Sequence, residues 1–325
     1  MLHALDVCVV LLVLPLAVRT IAARETFAAV VSFMAYGLLL TLAWMRLAAP
    51  DVALAVAAIG SGLSGVLLLG AAARLRATER PAAAERPGAL LRLAAGILSA
   101  TIAAGLAVGV LSLPDPGPTL APSVAEHLPT TGVGNPVTGV LMAFRAMDTM
   151  LEKIVLLFAL VGVWSLAPDR LWGGRPGPRH QADPRGVLAF LARLLPPVGF
   201  VIGVYLLWVS ADEPGGAFQG STILAAMWLL VTMAGLGDTP PVASRWLRLA
   251  LSVGPAVFLA VGLGGLWFGE AFLAYPEAYA KALIVAIEVG MMVTVAVTLA
   301  LLVAGAPARS AQQSAPQNAP QSAQR

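Results

Sequence analysis

Apolar residues fall in blocks of about twenty along this chain, separated by short, charged, turn-rich breaks. A helix needs ~20 apolar residues to cross a ~30 Å hydrocarbon core, and only helices or closed barrels satisfy their backbone groups there. The pattern therefore predicts an all-α, polytopic membrane helix bundle of about nine transmembrane helices. They fall near 2–18, 26–45, 51–73, 92–113, 139–166, 188–209, 218–236, 247–268 and 280–304. The first block has the length of a signal-peptide core, but Asp6 precedes it without Lys or Arg and Arg19 follows it, which predicts a retained span. Residues 306–325, rich in Ala, Gln, Ser and Pro, carry too little apolar surface to fold and are expected to be a disordered tail.

The breaks alternate in charge. Loop 74–91 carries Arg74, Arg76, Arg80 and Arg86, and loop 167–187 carries Arg170, Arg175, Arg179 and Arg185. Arg245, Arg248 and Arg309 follow the same alternation. The intervening loops hold Asp115 and Glu126, then Asp212 and Glu213, then Glu270 and Glu277. Basic loops stay cytoplasmic, so the N-terminus is expected outside and the C-terminus in the cytoplasm, with Arg46 a mild exception. Loops 74–91 and 167–187 are also Pro-rich and read as linkers. They divide the chain into a three-span module (1–75), a two-span module (92–168) and a four-span module (186–305).

With 59% hydrophobic and 11% charged residues and a mean hydropathy of +0.86, the chain is too apolar for a soluble domain of this length. The net charge of +3 sits in particular loops, which reports orientation and gives no sign of a nucleic-acid partner. Cys8 is the only cysteine, excluding an internal disulfide or a Cys-based metal site. His3, His127 and His180 share no ligand spacing, so no metal and no cofactor is expected. Neither Ser–His–Asp nor Cys–His spacing appears, and the chain does not read as an enzyme.

The candidate chemistry lies in charges set into apolar helices. Arg145, Asp148, Glu152 and Lys153 interrupt the span at 139–166. On a regular helix Arg145, Asp148 and Glu152 share a face, with Lys153 turned by about 100°. Residues 154–166 alone would reach only ~20 Å, so the charged turn lies at membrane depth or in an interfacial segment. Four such charges cost on the order of 12 kcal/mol at mid-depth, against about 6 kcal/mol returned by the Leu, Ile, Val and Phe of the helix. This helix should face other helices or a hydrated cavity, as part of an ion or proton route or as a self-neutralising quartet that pins helices together. Glu277, Lys281 and Glu288 form a second stripe. Glu277 is expected at the interface, and Lys281 is long enough to snorkel. Glu288 sits in VAIEVGMMV, where burial penalises the charged form, so it is protonated or paired. It either carries protons or holds helices as a neutral, hydrogen-bonded acid. Asp51, beside Pro50 at the start of a helix, is an ordinary stabiliser of a first turn as well as a candidate for the route. In ADEPGGAFQGSTILAA (211–226), Pro214, Gly215 and Gly216 predict a tight turn, Gly220 permits close helix packing, and Gln219 has the means to hydrogen-bond across helices.

These segments resemble Mrp-type multisubunit cation/proton antiporters. NPVTGVLMAFRAMDTMLEKIVLLFALVGV (135–163) is similar to the family's Arg–Gly–Phe–Asp–Thr–Leu–Gly–Glu helix, with matches at Arg145, Asp148, Thr149 and Glu152. Ala49, Pro50 and Asp51 match an Ala–Pro–Asp–Val–Ala motif. Pro214, Gly215, Gly216, Phe218 and Gly220 match the Pro–Gly–Gly–Gly–Phe motif of the MnhB/MrpB subunit. The order of modules resembles the C-terminal part of MrpA followed by MrpB, here fused, and equivalent small subunits occur in membrane-bound hydrogenases. The chain departs from the family at Ala55 and Val56, where a polar or acidic pair is frequent, and at Ala146, Leu151, Ala211 and Asp212. Lys153 is an added charge.

The resemblance implies an integral subunit of a monovalent cation/proton antiporter in a bacterial inner membrane. Its partners would be other membrane subunits, including a large antiporter-like one, with protons and sodium as the transported ions. Arg145, Asp148, Glu152, Lys153, Lys281, Glu288 and Asp51 are the implied pathway residues. Glu152 would exchange protons and Arg145 would pair with Asp148. The alternative is a non-transporting scaffold in a hydrogenase or complex I-like respiratory assembly.

Overall fold

The computed structural model describes residues 2–82, 88–178, 180, 182–268 and 271–307. The expected tail lies almost wholly outside them, as do Arg86, Arg179, Glu270 and Arg309. Among the described residues the fold is all helical: α1 (Leu2–Ala22), α2 (Thr26–Arg46), α3 (Pro50–Ala55), α4 (Ser64–Ala82), α5 (Ala89–Leu111), α6 (Ala121–His127), α7 (Pro136–Gly139), α8 (Ala146–Ser165), α9 (Val187–Val209), α10 (Ala217–Met233), α11 (Arg245–Phe268) and α12 (Ala280–Ala304). Among the described residues, seven helical stretches are long and apolar enough to cross a membrane. Two more expected spans coincide with α8, which carries Asp148, Glu152 and Lys153, and with α10, which is shorter at 17 residues. The chain is a multi-pass membrane protein.

Two spans contain wide π turns. Val56–Leu63 joins α3 to α4, and Val140–Phe144 joins α7 to α8. Such turns free backbone groups that a membrane interior cannot hydrate. Around the first, Ser61 is buried and lies against Gly37 of α2, where a Cβ would meet its hydroxyl at 2.2 Å. The first three spans form one packed group, with α2 against α1, α3, α4 and the π turn, and Arg46 bonds Asp6 at 2.7 Å. That ion pair accounts for the basic residue that the loop charges left as an exception.

The remaining core is built on α12, which packs on α11, α10 and α8. Ile284, Ile287, Met291, Val295 and Leu299 of α12 are buried with Phe258 of α11. Its polar side chains are answered as well. The Thr294 hydroxyl donates to the Ala250 carbonyl and accepts from the Gly254 amide, both at 2.9 Å, inserting into the ladder of α11 just before Pro255. Helices α9 and α10 meet at Gly203 and Gly220, where a Cβ on Gly220 would lie 2.5 Å from the Gly203 carbonyl oxygen. By contrast, α5 buries none of its residues.

Candidate functional site

The break before α8 has a local cause and a long-range answer. Asn135 caps α7 by accepting from the Val137 amide at 2.9 Å, and Pro136 occupies the first turn, where no amide partner is needed. Nine residues on, the Arg145 amide reaches back to the Val140 carbonyl, five residues away, and Arg145 leaves helical geometry. The carbonyls this frees are satisfied by side chains: Thr149 donates to Leu141 at 2.6 Å and Tyr275 to Met142 at 2.7 Å. Burial raises the Tyr275 phenol above its ordinary value, so it remains a donor.

From this break α8 turns Ala146, Thr149, Met150, Lys153, Leu160 and Trp164 inward. Lys153 is the buried charge, its side chain 9% exposed against 65% for Glu152, which lies 3.8 Å away. Its ammonium stands 4.2 Å from the centre of the Phe218 ring, a cation–π contact. Arg145 and Asp148 pair with each other, with side chains 71% and 51% exposed. Arg145, Asp148 and Glu152 therefore point away from the bundle. The three share one side, as their spacing predicts, with Lys153 turned to the other.

The Pro–Gly–Gly segment forms the wall opposite. Gly215 has no room for a side chain, since a Cβ would lie 2.4 Å from the Leu206 carbonyl oxygen, to which the Gly216 amide donates at 3.0 Å. The Gly215 amide donates to Asp51 Oδ1, also at 3.0 Å. Asp51 is buried, and it ties the first three spans to the turn that starts α10.

Glu288, buried on α12, completes the site some eight residues past the start of that helix, or ~12 Å along it. Its Oε2 is 2.7 Å from the Ser210 hydroxyl, which is also 2.7 Å from the Leu207 carbonyl. The Ala217 amide, in the first turn of α10, is a further donor to the carboxyl. Ser210 has one proton for two neighbours, and the carbonyl can only accept. Both short contacts are hydrogen bonds at the same time only when Glu288 itself carries a proton and donates it to Ser210. When Glu288 is ionised, the Ser210 proton must turn from Leu207 to the carboxylate. Thr138 donates to the Ser210 carbonyl at 2.6 Å, fixing that backbone.

Lys153, Glu288, Thr138, Thr149, Gln219 and the Gly215–Phe218 backbone line one cavity of about 80 Å³. It has room for a few water molecules, at ~30 Å³ each. Among the described residues Lys153 and Glu288 make no direct ion pair, and both line the cavity.

Of the residues singled out in the sequence, the fold brings together Lys153, Glu288, Asp51 and the 214–218 turn. Lys281 lies elsewhere, bonding both oxygens of Asp212 at 2.8 and 2.7 Å. The Lys281 ammonium holds the Asp212 carboxyl below its ordinary range. Glu277 begins the short turn before α12. Gln219 lies over Gly216 within the cavity wall. Sequence reasoning missed Ser210, Thr138, Thr149 and Tyr275 as partners. Thr149 sits on the inward stripe of α8 with Ala146, Met150 and Lys153 at helical spacing, a legible signal; Ser210 and Tyr275 have no local one.

Residues 187–308 match the family described as a domain related to the MnhB subunit of Na+/H+ antiporter, and residues 11–77 match MbhD, the D subunit of MBH. The A/B subunit of a probable K+/H+ antiporter from Rhizobium meliloti is 26% identical over 285 residues, covering 75% of this chain and 27% of the relative. An uncharacterized protein of Methanocaldococcus jannaschii is 25% identical over 171 residues, covering 47% of this chain and 65% of that one. The chain thus spans about a quarter of the first relative and just under two thirds of the second. In structure it resembles the Mrp complex from a Dietzia species, with a TM-score of 0.69 and 24% identity over 94% of this chain and 35% of that one. It also resembles the membrane-bound sulfane sulfur reductase, an archaeal respiratory membrane complex, with a TM-score of 0.56 and 24% identity over 66% of this chain and 97% of that one. At that identity the two structures speak for the fold.

Proposed function

We propose that this chain, which resembles the Mrp-type antiporter subunits, supplies a proton-carrying cavity to a monovalent cation/proton antiporter complex. The observation that carries this reading is the shared cavity of Lys153 and Glu288, with Ser210 placed to follow the protonation of Glu288. A cavity with room for a few waters lets a proton reach the Glu288 carboxyl while the Lys153 ammonium balances its charge, without either charge meeting lipid. Asp51 and the Gly215 turn hold the wall of the cavity and so position the site.

Arg145, Asp148 and Glu152 take a different part. Exposed charges at membrane depth are costly against lipid, on the order of 3 kcal/mol each. Their face of α8 is where a neighbouring membrane subunit packs, and Glu152, 3.8 Å from Lys153, is the acid at that boundary. The large antiporter-like subunit would complete the route.

The test is Glu288→Gln in the assembled complex, reconstituted in vesicles. The expected outcome is an intact complex on native gels with cation-driven pH change lost. An intact complex that still exchanges cations for protons would overturn the proton role. A second reading, a component of a respiratory membrane complex, is favoured by the match of residues 11–77 to MbhD. It predicts that the chain copurifies with redox subunits instead of an antiporter-like one.

A further inference from the structure

We infer that Lys153 is a tethered cation which reserves the cavity for protons and closes it to sodium and potassium. This rests on the proton-carrying reading of the same cavity and names what the site admits. A buried carboxylate facing an oxygen-lined space is the ordinary arrangement for holding an alkali cation, since hard monovalent ions are held by oxygen donors that replace their water. The residues that line the cavity include such oxygen-bearing side chains: Glu288, Thr138, Thr149 and Gln219. What such an ion would bring is already there, because the Lys153 ammonium is a compact positive charge on the same cavity, seated 4.2 Å from the Phe218 ring centre.

The charge count decides between the two occupants. With Glu288 ionised and Lys153 charged, the cavity is neutral, and a proton arriving at Glu288 leaves one charge, on Lys153. A metal ion would instead stand beside the ammonium in a space of about 80 Å³. At a separation of ~6 Å and an effective dielectric constant of ~20, that repulsion weakens cation binding on the order of a hundredfold. The Lys153 side chain is buried against that ring, and the outward neighbour Glu152 is mostly exposed, which limits how far it offsets the charge. Water, being neutral, meets no such barrier. Alkali cations handled by the complex therefore cross elsewhere, and this chamber passes protons alone.

The experiment is thermal unfolding of the purified full-length chain in detergent, titrated with sodium or potassium chloride against choline chloride at matched ionic strength. The quantity read is the part of the Tm shift that Glu288→Gln removes. The expected result is no Glu288-dependent shift in the wild type or in Lys153→Arg, and a saturable, Glu288-dependent rise in Lys153→Gln. Lys153→Met, which keeps the packing on Phe218, is the second variant should Lys153→Gln fail to fold. A Glu288-dependent rise in the wild type overturns the inference, and so does its absence from both neutral variants. Neither result bears on whether Glu288→Gln abolishes transport, so failure here leaves the proton role standing.

Discussion

Helices α5 and α12 are near equals in sequence and opposites in the fold. They have 23 and 25 residues, and mean hydropathies of 2.0 and 2.3 over their spans. Yet α12 buries most of its length, while α5 buries nothing within this chain. The difference lies in where their polar and small residues are addressed. Thr294 of α12 bonds α11, and Glu288 bonds Ser210 at the end of α9. In α5, Thr101 bonds only its own helix, at Ile97, and Gly96, Gly105 and Gly109 have open space where a Cβ would stand. Hydropathy measures fitness for the bilayer, and in lipid there is no hydrophobic reward for leaving tails to join other helices. Close packing and side-chain hydrogen bonds decide which span becomes the core.

Truncations should give the widest separation between the two helices. Ile287→Ala removes a fully buried side chain and should cost about 2–4 kcal/mol, measured by denaturant unfolding in detergent. Leu98→Ala, on the exposed surface of α5, should stay within about 0.5 kcal/mol. A comparable loss at Leu98 would mean that α5 packs inside the isolated chain. Added methyl groups should follow, with opposite signs. Gly220→Ala pushes against the Gly203 backbone and should cost roughly 1–3 kcal/mol, because rigid main chain must move. Gly105→Ala meets nothing and should leave stability unchanged or raise it by up to about 1 kcal/mol.

Hydrogen bonds should separate the helices less. Thr294→Val leaves the Gly254 amide and Ala250 carbonyl without their inserted partner, for a loss of about 1 kcal/mol in a membrane setting, while Thr101→Val should be close to silent. The smallest effect belongs to the Lys281–Asp212 pair, which ties the start of α12 to the loop after α9 in a way α5 lacks. The folded carboxyl of Asp212 sits below its unfolded value, so its contribution is present above that unfolded value and is lost as pH falls through the folded one. Both side chains are about half exposed, so the contribution stays under about 1 kcal/mol. An Asp212→Asn variant should flatten that acid limb of the stability profile.

A single helix repeats the lesson on a finer scale. The charges of 145–153 were legible as the chemical centre of the sequence, and Lys153 does reach the cavity. Their grouping into one face was read from ideal helical spacing. For Arg145, Asp148 and Glu152 the structure keeps that face, and it turns the opposite stripe of Ala146, Thr149, Met150 and Lys153 inward. The Pro–Gly–Gly turn could be read from its residues because its constraint is local: Gly215 alone fits against the Leu206 carbonyl. Ser210 could not, since its only claim on the site is an acid 78 residues away.

By itself the sequence determined the helical class, the placement of the long apolar helices, the Pro50 and Pro214 turns, and the presence of acids and bases within apolar segments. Each of these follows from composition or from neighbours within a few residues. Only the tertiary structure decided that Lys153 and Glu288 share a chamber, that Arg145, Asp148 and Glu152 face outward, and that α12 rather than α5 is the axis of the fold. Those outcomes depend on which helix faces meet, and that is fixed by packing and hydrogen bonds between residues far apart in the chain, which span-by-span hydropathy does not encode.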